Sequence, residues 1–249
     1  MRDLFRCLAS EAVKLKRTLA LANVLLAPAV VAGLQTLLYA ERGERLLRPG
    51  TSPYEAMGNA FGLWAVLMLP LLVSLQASLL YGVEHASQSS RHLLALPVAR
   101  PAFFAAKAVV ASGLLLLATA LLAAFVLAGG SVLVLLRPEL GGASLPLGML
   151  ARKALLVFLA SLPMLALHLW IAGRTSSFTA SMGSGVAATV VGFVLLNSDR
   201  WAGVYPWTLP AKVLRAGGEG LPAAALLAAA AGLALFAAAA ADVSRREAA

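Results

Sequence analysis

Long apolar runs separated by short polar stretches dominate this chain of 249 residues. A helix that crosses about 30 Å of hydrocarbon needs about 20 apolar residues. Six runs reach that length, at 18–40, 61–83, 103–128, 152–173, 178–197 and 221–241. The alternation of a membrane barrel is absent, and unpaired backbone groups are costly in lipid. The pattern therefore predicts an all-α polytopic membrane protein, with one transmembrane domain over residues 1–249 and both termini on the same side.

The polar segment before the first span, residues 1–17, is amphipathic at helical spacing. Its apolar stripe, which runs on into the span, consists of Leu4, Leu8, Ala12, Leu15 and Leu19. Its opposite face consists of Arg6, Ser10, Lys14 and Arg17. This pattern predicts an interfacial helix on the inner leaflet, with the basic face toward lipid phosphates. The alternative is that the segment is only the polar cap of the first span.

The distribution of Lys and Arg indicates the orientation. With the N-terminus inside, the 20 basic residues divide into eleven on the inner side and nine on the outer side. Five of them precede the first span and three follow it, and the charges around the first helix usually dominate. Both termini are therefore predicted to be cytoplasmic. The first span is too long for a signal peptide and no A-x-A site follows it, so it is predicted to be retained.

The composition supports a membrane protein and limits its function. The chain is 61% hydrophobic and 12% charged, whereas soluble domains are about 45–50% apolar and about 25% charged. The net charge of +9 is expected to sit in loops and contact anionic membrane lipids, which makes nucleic acid a poor partner. Cys7 is the only cysteine, so an internal disulfide and a cysteine-based metal cluster are excluded.

No residue pattern indicates catalysis, a cofactor or a metal. The chain has no G-x-x-x-x-G-K-[ST] loop for nucleotide phosphates. His85 and His92 with Glu84 offer too few ligands for a zinc site, and the serines between them lack a nucleophile elbow. The sequence therefore predicts a protein that is not an enzyme.

His168, in LALHLW, is the one ionisable residue deep in a span. One interpretation makes it a proton or ligand site, which a gradient-driven carrier would need. The favoured interpretation is a neutral imidazole that is hydrogen-bonded across the bundle, because the spans contain no Asp or Glu at mid-depth.

The most polar internal stretch, EHASQSSRHLLALPVARPAFFAAK, occupies residues 84–107 between the second and third spans. Pro97 ends any short helix after the serines, and Arg100-Pro101 starts the third span. The pattern predicts a short amphipathic element between two membrane helices. A docking surface and an interfacial loop whose leucines enter lipid are equally open interpretations. Lys107 is expected to snorkel back to the surface.

Small residues recur where helices could meet. In the fifth span, Ser184, Ala188 and Gly192 form one such row, and Ser181, Gly185 and Thr189 form another. Such rows allow backbones to approach closely. The sixth span is nearly polyalanine, which favours burial among helices. Gly129-Gly130 divides the third apolar run, so the SVLVLL that follows is either a helix extension or an interfacial segment.

Several segments together resemble one family. Glu84, RHLLALPVAR (91–100) and Lys107 resemble the loop after the second helix in permeases of type-2 ABC exporters, and SEAVKLKRT resembles their N-terminal region. Residues 168–198 and YPWTLP (205–210) are similar to the lantibiotic-immunity and bacitracin-resistance permeases. Ala99 departs from the pattern, since the family more often has serine there.

This resemblance implies six transmembrane helices per subunit, a second permease subunit (identical or related), and separate cytoplasmic ATPase subunits that bind ATP and Mg²⁺. It implies a coupling helix whose residues here are Glu84, Arg91, Leu93, Leu94, Leu96, Pro97 and Arg100. It further implies export of an amphipathic substrate, such as a peptide antibiotic, from the bacterial cytoplasmic membrane, and hence antibiotic resistance or lantibiotic immunity. A gradient-driven carrier or channel and a non-transporting scaffold subunit are the alternatives.

Three aromatic residues cluster in the last outer loop. Trp201, Tyr205 and Trp207 are expected to form an aromatic belt at the outer headgroups. The functional alternative is an outer gate that contacts the leaving substrate.

Overall fold

The protein is described from a computed structural model that covers residues 2–15, 18–47, 50–86, 100–138, 144–175, 177–216 and 223–245. This part of the chain is helical throughout its regular structure and contains no strand. Six of its helical segments are long and apolar enough to cross a membrane, which confirms the predicted all-helical fold with six candidate spans. The helices are α1 (Arg2–Leu15), α2 (Ala20–Leu46), α3 (Pro53–Met57), α4 (Ala60–Leu63), α5 (Leu69–Ala86), α6 (Arg100–Leu136), α7 (Leu147–Arg174), α8 (Phe178–Leu195), α9 (Leu209–Arg215) and α10 (Ala223–Arg245).

The second span consists of several consecutive pieces. After α3 and α4, a π-helical turn at Trp64–Met68 leads into α5. The turn closes where the Leu69 amide donates to the Trp64 carbonyl, five residues back. Pro70 follows, and it has no N–H to continue the ladder. Prolines and π turns are both common causes of helix kinks, and π turns are frequent at functional sites.

The third span, α6, continues through Gly129 and Gly130 as far as Leu136, so the SVLVLL segment is a helix extension. The two glycines are required by packing. A Cβ at Gly129 would collide with the Thr36 and Met57 side chains, and one at Gly130 would collide with the Tyr54 ring. The bare backbone of α6 therefore lets α3 lie directly against it.

The sixth span, α10, packs chiefly on α7. Its buried positions are Ala225, Ala228, Gly232 and Ala239, which lie on one face. The other faces are largely exposed on this chain, so burial among helices, which the composition favoured, holds for one face of the helix. Alanine serves both environments, because it permits close approach to α7 and is also tolerated by lipid.

Gly232→Ala is expected to destabilise the chain by about 1–2 kcal/mol, because the added methyl has no room. A Cβ there would lie 2.6 Å from Leu162 Cβ, 2.8 Å from the Leu162 carbonyl carbon and 2.9 Å from the Pro163 nitrogen. Thermal unfolding in detergent measures the change. Gly33→Ala is the control, since no atom lies within 4 Å of its added Cβ.

In the control, alanine should leave stability unchanged or raise it by about 0.5–1 kcal/mol, because it favours the helix. The two substitutions thus differ in the sign of their expected effect. A stabilised Gly232→Ala variant would contradict the close contact between α7 and α10.

Candidate functional site

Lys107, near the start of α6, lies where three helices meet. Its side chain is fully buried. Its Nζ donates to Glu11 Oε2 on α1 at 3.0 Å and to the Leu80 carbonyl on α5 at 2.7 Å. The ammonium also lies 4.9 Å from the Tyr81 ring centroid and 4.8 Å from that of Phe103. We call this group, together with Lys14, the Lys107 junction.

The expectation that Lys107 snorkels to the surface is therefore wrong. Snorkelling lets a lysine keep its charge in water while its stem stays in an apolar region. Here a carboxylate, a carbonyl and two aromatic faces surround the ammonium within the protein. Charge-assisted hydrogen bonds and cation–π contacts replace the lost hydration.

Glu11 is the centre of the ionic part of the junction and is 1% exposed. Its Oε1 accepts a hydrogen bond of 2.7 Å from Lys14, whose side chain is 25% exposed, while its Oε2 faces Lys107. Lys14 also lies 5.0 Å from the Phe103 ring centroid. Removing one partner of a buried ion pair costs about 3–5 kcal/mol. The junction thus ties α1 to the ends of α5 and α6.

The side of α1 that packs on the bundle differs from the predicted stripe. Cys7 and Glu11 are its buried residues, and Leu4, Leu8 and Leu15 are partly buried. Ala12 is exposed, although the stripe included it. Phe5, Ala9 and Val13 form a separate exposed apolar face. The reason is that a carboxylate is needed opposite Lys107, so a polar residue occupies the buried side of the helix.

The predicted coupling residues run from the end of α5, through the connection, to the start of α6. Arg91, Leu93, Leu94, Leu96 and Pro97 lie outside the described residues, as do the side chains of Glu84 and Arg100. The backbones at 84 and 100 belong to the end of α5 and the start of α6. The Lys107 junction joins these two helices within a few residues of that connection.

A second ionic contact fixes the C-terminal ends of α7 and α10. Arg174 Nη2 donates to both oxygens of Asp242 at 2.7 Å, and Trp170 Nε1 donates to Asp242 Oδ2 at 3.2 Å. The guanidinium also lies 4.1 Å from the Trp170 ring centroid. Both charged side chains are about a third exposed, so the stabilisation from the pair is modest, about 1 kcal/mol or less.

Small residues form the interface between α5 and α8, with serines on α5 and a serine and a glycine on α8. Ser78 Oγ donates to Ser181 Oγ at 2.8 Å, while Ser74 Oγ donates to the Pro70 carbonyl. A Cβ at Gly185 would collide with the Ser74 side chain and would lie 2.7 Å from His168 Cε1. The row of Ser181, Gly185 and Thr189 is buried here, which confirms the predicted packing face.

His168 is fully buried on α7, and Trp207 reaches it from the connection after α8. The two rings meet edge to face, with centroids 6.1 Å apart and an interplanar angle of 76°. Among the residues that the structure describes, neither imidazole nitrogen has a hydrogen-bond partner. The Ser181 backbone, across the bundle on α8, lies beside the ring and attracts the imidazole, but it makes no hydrogen bond of regular geometry with it.

The three aromatic residues that were predicted to form one belt lie in the connection between α8 and α9 and occupy different environments. Trp201 is 50% exposed and lies beside Arg200. Tyr205 stacks on Trp207 with centroids 5.4 Å apart, and its hydroxyl donates to the Ala188 carbonyl at 2.9 Å. Burial raises the pKa of Tyr205, which keeps the phenol protonated for this bond. Trp207 is 7% exposed and packs inside the bundle.

Sequence reasoning did not single out the acidic residues that make the ionic contacts. Glu11 is an acidic residue within a basic amphipathic segment, with Lys14 three positions later. That spacing gave a hint of an ion pair. The contact with Lys107, 96 positions away, had no such local signal. Asp242 with Arg174 was missed for the same reason.

These observations define a polytopic helical membrane protein whose ionic contacts concentrate at helix ends. Residues 7–197, more than three quarters of the chain, match the family model described as ABC-2 family transporter protein. The chain belongs to this family and is a membrane permease of an ABC transporter. Comparison with curated proteins and with solved structures returned no match.

Proposed function

We propose that this permease works with separate ATPase subunits, which bind ATP and Mg²⁺, to export an amphipathic substrate such as a peptide antibiotic. The chain would act in the bacterial cytoplasmic membrane, paired with an identical or related permease. The observation that supports this proposal is the Lys107 junction, which binds three helices together beside the predicted coupling loop. An energy-coupling loop requires such a rigid attachment to the helices that it moves.

The junction determines which elements move together. The chain between α5 and α6 pulls on both helices directly, and Glu11 joins α1 to them. Since breaking the buried pair costs about 3–5 kcal/mol, α1 and the adjoining ends of α5 and α6 form one unit at this end of the bundle. The π turn at Trp64–Met68 is the hinge on which α5 turns.

Movement of α5 reaches the interior through its contact with α8. The Ser78–Ser181 hydrogen bond joins the two helices, and Ser74 lies against the bare backbone at Gly185. His168 contacts the same glycine. A displacement driven at the coupling loop would therefore change the packing around His168 and Trp207. The exposed apolar faces of α2, α8 and α10 suit a substrate that enters laterally from lipid.

The N-terminal helix fits a position on the inner leaflet. Its exposed apolar face, Phe5, Ala9 and Val13, lies away from the buried side at Cys7 and Glu11. Phe5 is 69% exposed and Val13 is 61% exposed. Such residues enter the boundary between headgroups and acyl chains, and Arg6 beside them meets lipid phosphates.

Coupling is tested by co-purification with an ATPase encoded beside this gene. Leu94→Ala and Arg100→Ala are each expected to weaken complex formation about tenfold, since truncating a central contact costs about 1–2 kcal/mol. Substrate-stimulated ATP hydrolysis in nanodiscs should fall with it. Leu145→Ala is the control, because Leu145 is an exposed leucine in the connection between α6 and α7. Full coupling in both variants would remove the assignment of this loop.

Labelling tests the predicted sidedness. In a Cys7→Ser background, the Ser89→Cys thiol should react with a membrane-impermeant maleimide only when the inner face is open to the reagent. The result follows from the orientation that the basic residues predict. Reaction from outside intact cells would contradict the proposal, and so would transport down an ion gradient by the purified chain alone.

A further inference from the structure

Three buried polar atoms lie without hydrogen bonds on two neighbouring rings, where α7 meets the connection after α8. They are Nδ1 and Nε2 of His168 and Nε1 of Trp207, none of which has a partner among the residues that the structure describes. The two side chains are 0% and 7% exposed. A buried polar group without a partner costs about 1–3 kcal/mol, and native proteins keep few of them.

Three groups beside the imidazole are uncharged. They comprise the bare backbone at Gly185, the Ser181 backbone and the Trp207 ring. A neutral imidazole has one donor and one acceptor, and an indole has one donor. The Ser181 carbonyl is placed to attract the imidazole N–H. One acceptor on His168 and one donor on Trp207 then remain.

A hydroxyl group matches this pair, because it donates one hydrogen bond and accepts another. We infer that His168 and Trp207 form a binding site for one neutral hydroxyl, supplied by an amphipathic molecule or by water. The hydroxyl donates to the free imidazole nitrogen and accepts from the indole N–H. An amide group would satisfy the same two atoms less compactly.

Trp207 also closes this site. Its segment is held by the Tyr205 hydroxyl on the Ala188 carbonyl and by Thr208, which donates to the Ala202 and Tyr205 carbonyls at 2.9 and 2.7 Å. Any role of this site in transport rests on the proposed function. Binding of a hydroxyl at the site is a property of this chain alone.

Solvent exchange of the Trp207 indole proton tests the inference on the full chain in nanodiscs without an ATPase. The ¹⁵N signals of the four tryptophans are assigned with Trp207→Phe. The probe is 1-octanol, and octane, which lacks the hydroxyl, is its control. At about ten times its Kd, octanol leaves about a tenth of the sites free and should slow exchange about tenfold. His168→Leu should abolish this effect, and His168→Asn should restore part of it.

The outcomes are distinct. Slowing by octanol and not by octane assigns the hydroxyl to an amphipathic molecule. If the Trp207 indole proton exchanges measurably and neither octanol nor octane changes the rate, the hydroxyl belongs to water. An indole proton that does not exchange and does not respond to octanol would overturn the inference, because the contact would then be closed packing. Unchanged signals from Trp64, Trp170 and Trp201 show that each variant is folded. Failure of ATPase co-purification would leave all of these readings unaffected.

Discussion

Glu11→Leu is expected to destabilise the permease by about 3–5 kcal/mol, because it leaves the buried ammonium of Lys107 without a counter-ion. Lys107→Met should cost less, since Glu11 keeps its 2.7 Å contact with Lys14. The double variant should recover most of the loss, because a buried ion pair replaced by apolar side chains of similar size is often tolerated. Unfolding in detergent measures all three variants.

The double-mutant cycle makes this prediction specific. Lys14→Met is the control, because Lys14 is partly exposed and its removal should cost only about 1 kcal/mol or less. Contact between Glu11 and Lys107 requires the two single effects to be strongly non-additive. Additive losses would show that the two residues stabilise the chain independently, and the Lys107 junction would then not hold α1 in place.

Gly185→Leu is expected to cost about 3 kcal/mol, at the upper end of overpacking effects. The new side chain would enter the space of Ser74 and His168. Ser74 is held by its bond to the Pro70 carbonyl, and His168 is enclosed by Trp207, so neither yields easily. Separation of α5 from α8 should also break the Ser78–Ser181 bond. The measurement is the yield and melting temperature of monodisperse protein.

Gly183→Leu is the matched control for this substitution. It lies two residues away on the same helix, and no atom lies within 4 Å of a Cβ there. The same change in side chain should therefore have little effect, apart from the small gain in helix propensity. Equal losses at 183 and 185 would show that α8 does not pack through its serine and glycine face.

The interface between α5 and α8 was predictable in part. Small residues at four-residue spacing identified Ser181, Gly185 and Thr189 as one face, because close helix approach in lipid needs such residues. The partner helix could not be read from that spacing. The second span shows a different limit. Its apolar run begins at 61, and a count of apolar residues passes over the helix-start pattern of Ser52, Pro53 and Glu55, where α3 begins.

The sequence by itself determined the six apolar helices. A run of about 20 apolar residues is visible locally in the chain, and a lipid environment requires such a run to be helical. It also determined that an amphipathic segment precedes the first span. Only the tertiary structure decided the partners of the polar side chains. Glu11 meets Lys107 across 96 positions, and Trp207 meets His168 after a turn of the chain. Such contacts form between residues that are near in space and far apart in the chain, so they leave no period in the sequence.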